Sequence, residues 1–145
     1  MHILFLCTGN SCRSQMAEAW ARHLAAEQAP ELDIVVSSAG LEAHGLNPGA
    51  VAAMAVHGID ISQRSSDILD AEMIEQADLI VTVCSHADAN CPLVPPNKQK
   101  RHIPFDDPAK ATGTPEEVTA CFDKVCLEIR DAISALITEL QTQSA

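Results

Sequence analysis

The chain has no tyrosine, one tryptophan and three phenylalanines in 145 residues, so no tyrosine is available to any site. It is also short of positive charge: nine Lys and Arg against 20 Asp and Glu give a formal net charge of −11 at neutral pH. So acidic a surface makes nucleic acid and anionic membranes poor partners. No apolar run approaches the ~18 residues of a membrane span. The apolar stretch at the N-terminus has no Lys or Arg ahead of it, so it does not read as a secretory signal. The paired Cys-x2-Cys spacing of a structural zinc site is missing as well. The expectation is a cytoplasmic, monomeric protein of one domain, residues 1–145, long enough to bury about 68–70% of its unfolded surface. In that compartment six cysteines argue for catalysis, redox chemistry or metal, and against a disulfide framework.

The pattern alternates strand and helix. Residues 2–7 read as a buried strand and 14–28 as a helix with Met16, Trp20 and Leu24 on one stripe. Asp33–Ser38 reads as a second strand closed by Ala39-Gly40. Asn47 caps a helix with Pro48 at its first position, and Gly58 stops it. Residues 70–76 form a short helix capped by Asp70, Asp78–Val83 a central strand, and His102–Phe105 a weaker strand. A last helix starts near Thr114-Pro115-Glu116 and carries Val118, Phe122, Val125, Ile129, Ile133, Leu136 and Leu140 at helical spacing. This order implies an α/β fold: a four-stranded parallel sheet with right-handed crossovers and helices on both faces. Ligands of such sheets lie beyond the carboxyl ends of the strands. Cys7, Ser38, Cys84 and Asp106-Asp107-Pro108 all fall at that edge.

Cys7-Thr8-Gly9-Asn10-Ser11-Cys12-Arg13-Ser14 joins the first strand to the first helix and sets Cys7 and Arg13 apart by five residues. Such a loop aims its N–H groups at one point beside the positive end of a helix, a cradle for a tetrahedral oxyanion. Arg13 offers the anion two parallel donors, and the same field favours the thiolate of Cys7. Asp107, held extended by Pro108, can be aimed at the site as a proton donor. Cys12 reads as structural, though a protective bond with Cys7 is open to it. Cys126 reads as core packing, with Cys121 on another face of the same helix. His44 and His57 read as surface groups.

Cys84 and Cys91 form a second pair, seven positions apart. If the stretch between them is helical, their Cα atoms lie about 10.5 Å apart at ~1.5 Å per residue. A disulfide needs roughly 4.4–6.8 Å. The pair can bond only if the helix unwinds, and Ser, Asp, Asn and the flanking prolines make the segment easy to melt. A thiol–disulfide switch on a movable segment is the reading. Zinc ligation by Cys84, His86 and Cys91 lacks a specified fourth ligand; two unrelated loop cysteines are the plain alternative.

The run from Cys7 to Glu18 resembles the thioredoxin-coupled arsenate reductases, which share the low-molecular-weight tyrosine phosphatase fold. So do Ser38-Ala39-Gly40, His44-Gly45-Leu46-Asn47-Pro48, Cys84 through Cys91-Pro92, and Phe105-Asp106-Asp107-Pro108. The resemblance implies reduction of arsenate to arsenite in a relay of Cys7, Cys84 and Cys91. Arsenate is held by the amides of Thr8, Gly9, Asn10, Ser11, Cys12, Arg13 and Ser14, Asp107 acts as acid, and thioredoxin is the reductant. It implies no tightly bound cofactor beyond a potassium ion, which some relatives hold with residues matching Asn10, Glu18, Ser38 and Asp67; Arg64 nearby is an alternative source of that charge. The rival is a phosphatase of the same fold. That family places a Tyr after the Asp-Pro pair, where this chain has Ala109, and it has no use for Cys84 and Cys91.

Overall fold

In the computed structural model, residues 1–91 and 94–144 are described; Pro92, part of the resemblance, lies outside them. Four parallel strands, β1 (His2–Cys7), β2 (Val35–Gly40), β3 (Leu79–Thr82) and β4 (Gln99–His102), form one sheet in the order β2-β1-β3-β4. β1 is central because Ile3, Leu4, Phe5 and Leu6 are wholly buried, as a strand covered on both faces must be. It pairs with β2 from His2↔Val35 to Cys7↔Gly40 and with β3 from Ile3↔Leu79 to Leu6↔Thr82.

The helices are α1 (Arg13–Gln28), α2 (Pro48–Val56), α3 (Ala71–Gln76), α4 (Ser85–Asn90) and α5 (Pro115–Ser144). Asn47 accepts from the Gly49 N–H at 2.7 Å and Asp70 from the Met73 N–H at 2.8 Å, so both expected caps form. Alternate β4 side chains reach opposite faces of the sheet. Arg101 pairs with Glu139 of α5 at 2.6 and 2.8 Å, and Lys100 meets Asp88 of α4 at 2.9 Å. Helices therefore cover both faces. α1 and α5 share one of them, where Trp20 Nε1 donates to Cys126 Sγ at 3.4 Å and confirms Cys126 as core.

Two strands differ from the pattern reading. β4 is Gln99–His102, four residues without an aliphatic side chain, so hydrophobic patterning passes over it to Ile103 and Phe105. β2 runs Val35–Gly40 because Asp33 adopts φ +53 and closes a 3-10 turn at Pro30–Leu32, which postpones extended backbone. His57 is not a free surface group: its ring packs on Trp20 with centroids 5.2 Å apart.

Strand order reverses between β1 and β3. The loop after β1 leads towards β2 and the loop after β3 towards β4, which opens a crevice at their carboxyl ends. Cys7 and Cys84 are the residues that reach it.

Candidate active site

The loop after β1 is shaped from outside. The Leu41 N–H donates to the Cys7 carbonyl at 3.2 Å, Glu42 to Thr8 at 2.8 Å, His44 to Gly9 at 2.9 Å and Asn47 to Ser11 at 2.8 Å. The Asn10 carbonyl accepts from Ser66 Oγ at 2.7 Å and Gln15 Nε2 at 3.2 Å. In a trans peptide the N–H points opposite to the C=O. With five successive carbonyls taken outside, the N–H groups of Thr8, Gly9, Asn10, Ser11 and Cys12 face the concave side, and the start of α1 continues the row. This is an anion nest. Asn10 turns the loop at φ +47. Gly9 and Gly40 permit the close packing behind it, since a Cβ on Gly9 would lie 2.2 Å from His44 Nδ1 and one on Gly40 2.7 Å from Asn10 N.

Cys7 sits buried at the base of the nest. Ser14 Oγ lies 2.9 Å from its sulfur and accepts from Asn10 Nδ2 at 2.8 Å. Ser14 thus ties the nucleophile candidate Cys7 to Asn10 at the turn of the loop. Asn10 Nδ2 also donates to Ser38 Oγ at 3.0 Å, so Ser38 serves the site through Asn10. Cys12 is the residue before α1, and its thiol is held well above the ordinary value, first by burial and then by Asp107. It stays protonated beside the anion site, in keeping with a structural role.

Arg13 Nη1 donates to the Phe105 carbonyl at 3.1 Å, and Nη2 stands 3.6 Å from Asp107 Oδ2. The other Asp107 oxygen accepts from the Ala109 N–H at 3.0 Å. Cys84 is buried opposite, its Sγ 3.3 Å from Thr8 Oγ1 and 3.4 Å from the Ala87 N–H that it caps. Cys7, Cys12, Arg13, Cys84 and Asp107 line one cleft of about 660 Å³. Cys91 does not line it; it is half-buried at the far end of α4. The same cleft is bounded by His44 and Lys110, which spacing alone does not mark as site residues, and by His86, which the sequence offers only as a zinc ligand. His44 was read as a surface group, and its ring is half exposed and paired with Glu42. Its approach to Gly9 is what places it at the mouth.

Behind the loop Asn10 meets Ser38 and the backbone of Asp67. Asn10 Oδ1 accepts from the Asp67 N–H at 2.8 Å and from Gln15 Nε2 at 3.1 Å. Asp67 meets it through its backbone and is itself exposed. Glu18, 4% exposed, is paired with Arg64 and, at 3.0 Å, with Arg22. Gln15 Oε1 and Glu18 Oε2 are both buried without a hydrogen-bond partner, although two guanidinium groups face Glu18 Oε2. Guanidinium charge thus already faces the Glu18 carboxylate, the group for which a potassium ion was expected.

Residues 2–145 match the family described as low molecular weight phosphotyrosine protein phosphatase. The chain belongs to that family. Within it, the arsenate reductase of Bacillus licheniformis is 54% identical over 132 residues, 90% of this chain and 91% of that one. The arsenate reductase of Bacillus subtilis is 54% identical over 127 residues, 88% of each chain. Among solved structures, an arsenate reductase in the phosphate binding state superposes with a TM-score of 0.74 at 30% identity, covering 95% of this chain and 97% of its own. A low molecular weight phosphotyrosine phosphatase from Vibrio cholerae superposes at 0.84 with 23% identity, covering 100% and 99%, and supports the fold alone.

Proposed function

We propose that this chain is an arsenate reductase that converts arsenate to arsenite through Cys7, Cys84 and Cys91, with thioredoxin as the terminal reductant. The observation that carries the reading is the presence of two buried thiols, Cys7 and Cys84, on one cleft together with Arg13, with a third thiol one short helix away. A phosphatase needs the first thiol and has no task for the other two.

In the proposed sequence arsenate enters the nest and the guanidinium of Arg13. The Cys7 thiolate forms a sulfur–arsenic bond, and one arsenic–oxygen bond breaks as Asp107 protonates the departing oxygen. Cys84 then attacks the Cys7 sulfur. A Cys7–Cys84 bond forms, and the electron pair of the sulfur–arsenic bond stays on arsenic, which leaves as arsenite. Cys91 attacks Cys84, a Cys84–Cys91 bond forms, and Cys7 departs as thiolate. The dithiol of thioredoxin takes over that last bond. Arg64, in place of potassium, supplies the charge that Glu18 requires. No helix among the described residues is long and apolar enough to cross a membrane; we place the reaction in the reducing cytoplasm, where the thiols are restored, with a monomer as the working unit.

The test is arsenate-dependent NADPH consumption in the presence of thioredoxin and thioredoxin reductase. Wild type should turn over repeatedly. Cys91→Ser should release one arsenite per chain and stop; repeated thioredoxin-supported turnover by that variant would refute the relay.

A further inference from the structure

Helix α4 separates Cys84 from Cys91 and has six residues, Ser85-His86-Ala87-Asp88-Ala89-Asn90. A helix this short and this poor in helix formers does not persist on its own propensity. Tertiary contacts must hold it wound. One is apolar, the burial of Ala87. The other is polar and centres on Asp88.

Asp88 faces the end of the sheet. Its Oδ1 accepts from Lys100 Nζ at 2.9 Å and from Thr82 Oγ1 at 3.1 Å, and lies 3.9 Å from His102 Nδ1. Thr82 Oγ1 is in turn 2.9 Å from His102 Nδ1. With the proton on Nδ1, His102 donates to Thr82 and Thr82 donates to Asp88. Lys100 and His102 are two apart on β4 and so share a face, while Thr82 is wholly buried at the end of β3. Lys100 and Thr82 together hold the Asp88 carboxyl below the usual carboxylate range.

We propose that Asp88, clasped by Thr82, Lys100 and His102, is a positioning residue that keeps α4 wound and thereby sets the balance between the Cys84–Cys91 dithiol and its disulfide. The proposal rests on the relay reading. Closing that disulfide shortens a Cα separation of about 10.5 Å for seven helical steps to roughly 4.4–6.8 Å, so the middle of α4 must leave the sheet and Asp88 with it. The clasp stabilises only the wound, reduced form. Weakening it moves the equilibrium towards the disulfide.

The test uses the full chain. Wild type, Asp88→Asn and Lys100→Met are equilibrated with graded ratios of reduced to oxidised glutathione, quenched in acid, and the Cys84–Cys91 bridge is counted by peptide mass mapping. The bridge forms as the glutathione disulfide breaks, two electrons and two protons passing to give two glutathione thiols. In both variants the constant for bridge formation should rise about three- to tenfold, as expected for one charge-assisted contact a third exposed. That corresponds to a potential about 14 to 30 mV more negative. A direct effect of charge on Cys91 gives another signature, because burial raises that thiol while Lys100 lowers it and Asp88 raises it. Charge alone therefore shifts the two variants in opposite directions. A shift of the same sign in both supports the clasp; opposite shifts, or none, overturn it. If Asp88→Asn does not fold, Lys100→Met and Thr82→Val carry the same expectation. A folded wild type that forms no Cys84–Cys91 bridge at any ratio removes the relay itself, an outcome distinct from bridges of equal stability in all forms.

Discussion

Replacing Arg64 by glutamine isolates the question of what balances Glu18. The Glu18 side chain is 5% exposed and has two cationic partners, Arg64 at 26% and Arg22 at 55%. Removing one partner of a buried pair costs about 3–5 kcal/mol where nothing replaces it. Here Arg22 remains, but it lies mostly in water, where such a contact is worth about 1 kcal/mol or less. The expected loss is therefore about 2–4 kcal/mol, a fall in Tm of roughly 4–16 °C for a domain of this size. Thermal unfolding followed by circular dichroism, in sodium and in potassium chloride of equal ionic strength, reads both parts of the argument. Wild type should melt at one temperature in the two salts. Arg64→Gln should melt lower in sodium and recover part of the loss in potassium, because the vacated volume and the unpaired carboxylate then form a cation site. A wild type selectively stabilised by potassium, or a variant that melts where wild type does, refutes the assignment of that role to Arg64.

Asp107→Asn should slow the first arsenite release about 10²–10⁴-fold in a single-turnover assay, the usual contribution of a positioned acid, with arsenate affinity changed little. Ser14→Ala removes the hydroxyl beside Cys7; the first arsenite release in a single-turnover assay should slow by about tenfold or more, the share of one hydrogen bond to a charged group. Burial holds the thiols of Cys12, Cys91 and Cys126 above their ordinary values in the folded chain. The unfolded chain gives up those protons first, so their stabilisation is complete below about pH 8.5 and is lost as pH rises beyond it. Urea unfolding at pH 7.5 and pH 10 should show that decline, and Cys12→Ala should make it shallower.

The site was legible wherever local sequence and global placement agree. β1 is apolar throughout, its loop carries the turn residues, and α1 follows at once, so the nest could be read from residues 3 to 18. What escaped the sequence depended on partners far along the chain. The pull on four of the five loop carbonyls comes from residues 41–47, and a run such as Glu42-Ala43-His44-Gly45 has no pattern that announces it. His44 in a loop, His86 on α4 and Lys110 in a 3-10 turn are far apart in sequence and meet only at the cleft. β4 was shifted by several residues because Gln99-Lys100-Arg101-His102 spends its side chains on ion pairs and hydrogen bonds, and apolar periodicity is silent there. The pairing of Glu18 with Arg64, offered by the sequence only as an alternative to potassium, spans 46 positions.

The account stands on two electrons passing to arsenic through a relay of three thiols in one chain. Its most direct test is to mix reduced wild-type protein with one equivalent of arsenate, with no reductant present, and then assay arsenite and map the thiols by mass spectrometry. The prediction is one arsenite per chain, a bridge between Cys84 and Cys91, and Cys7, Cys12, Cys121 and Cys126 free. Arsenate recovered unchanged from protein whose six thiols are all still free would contradict it.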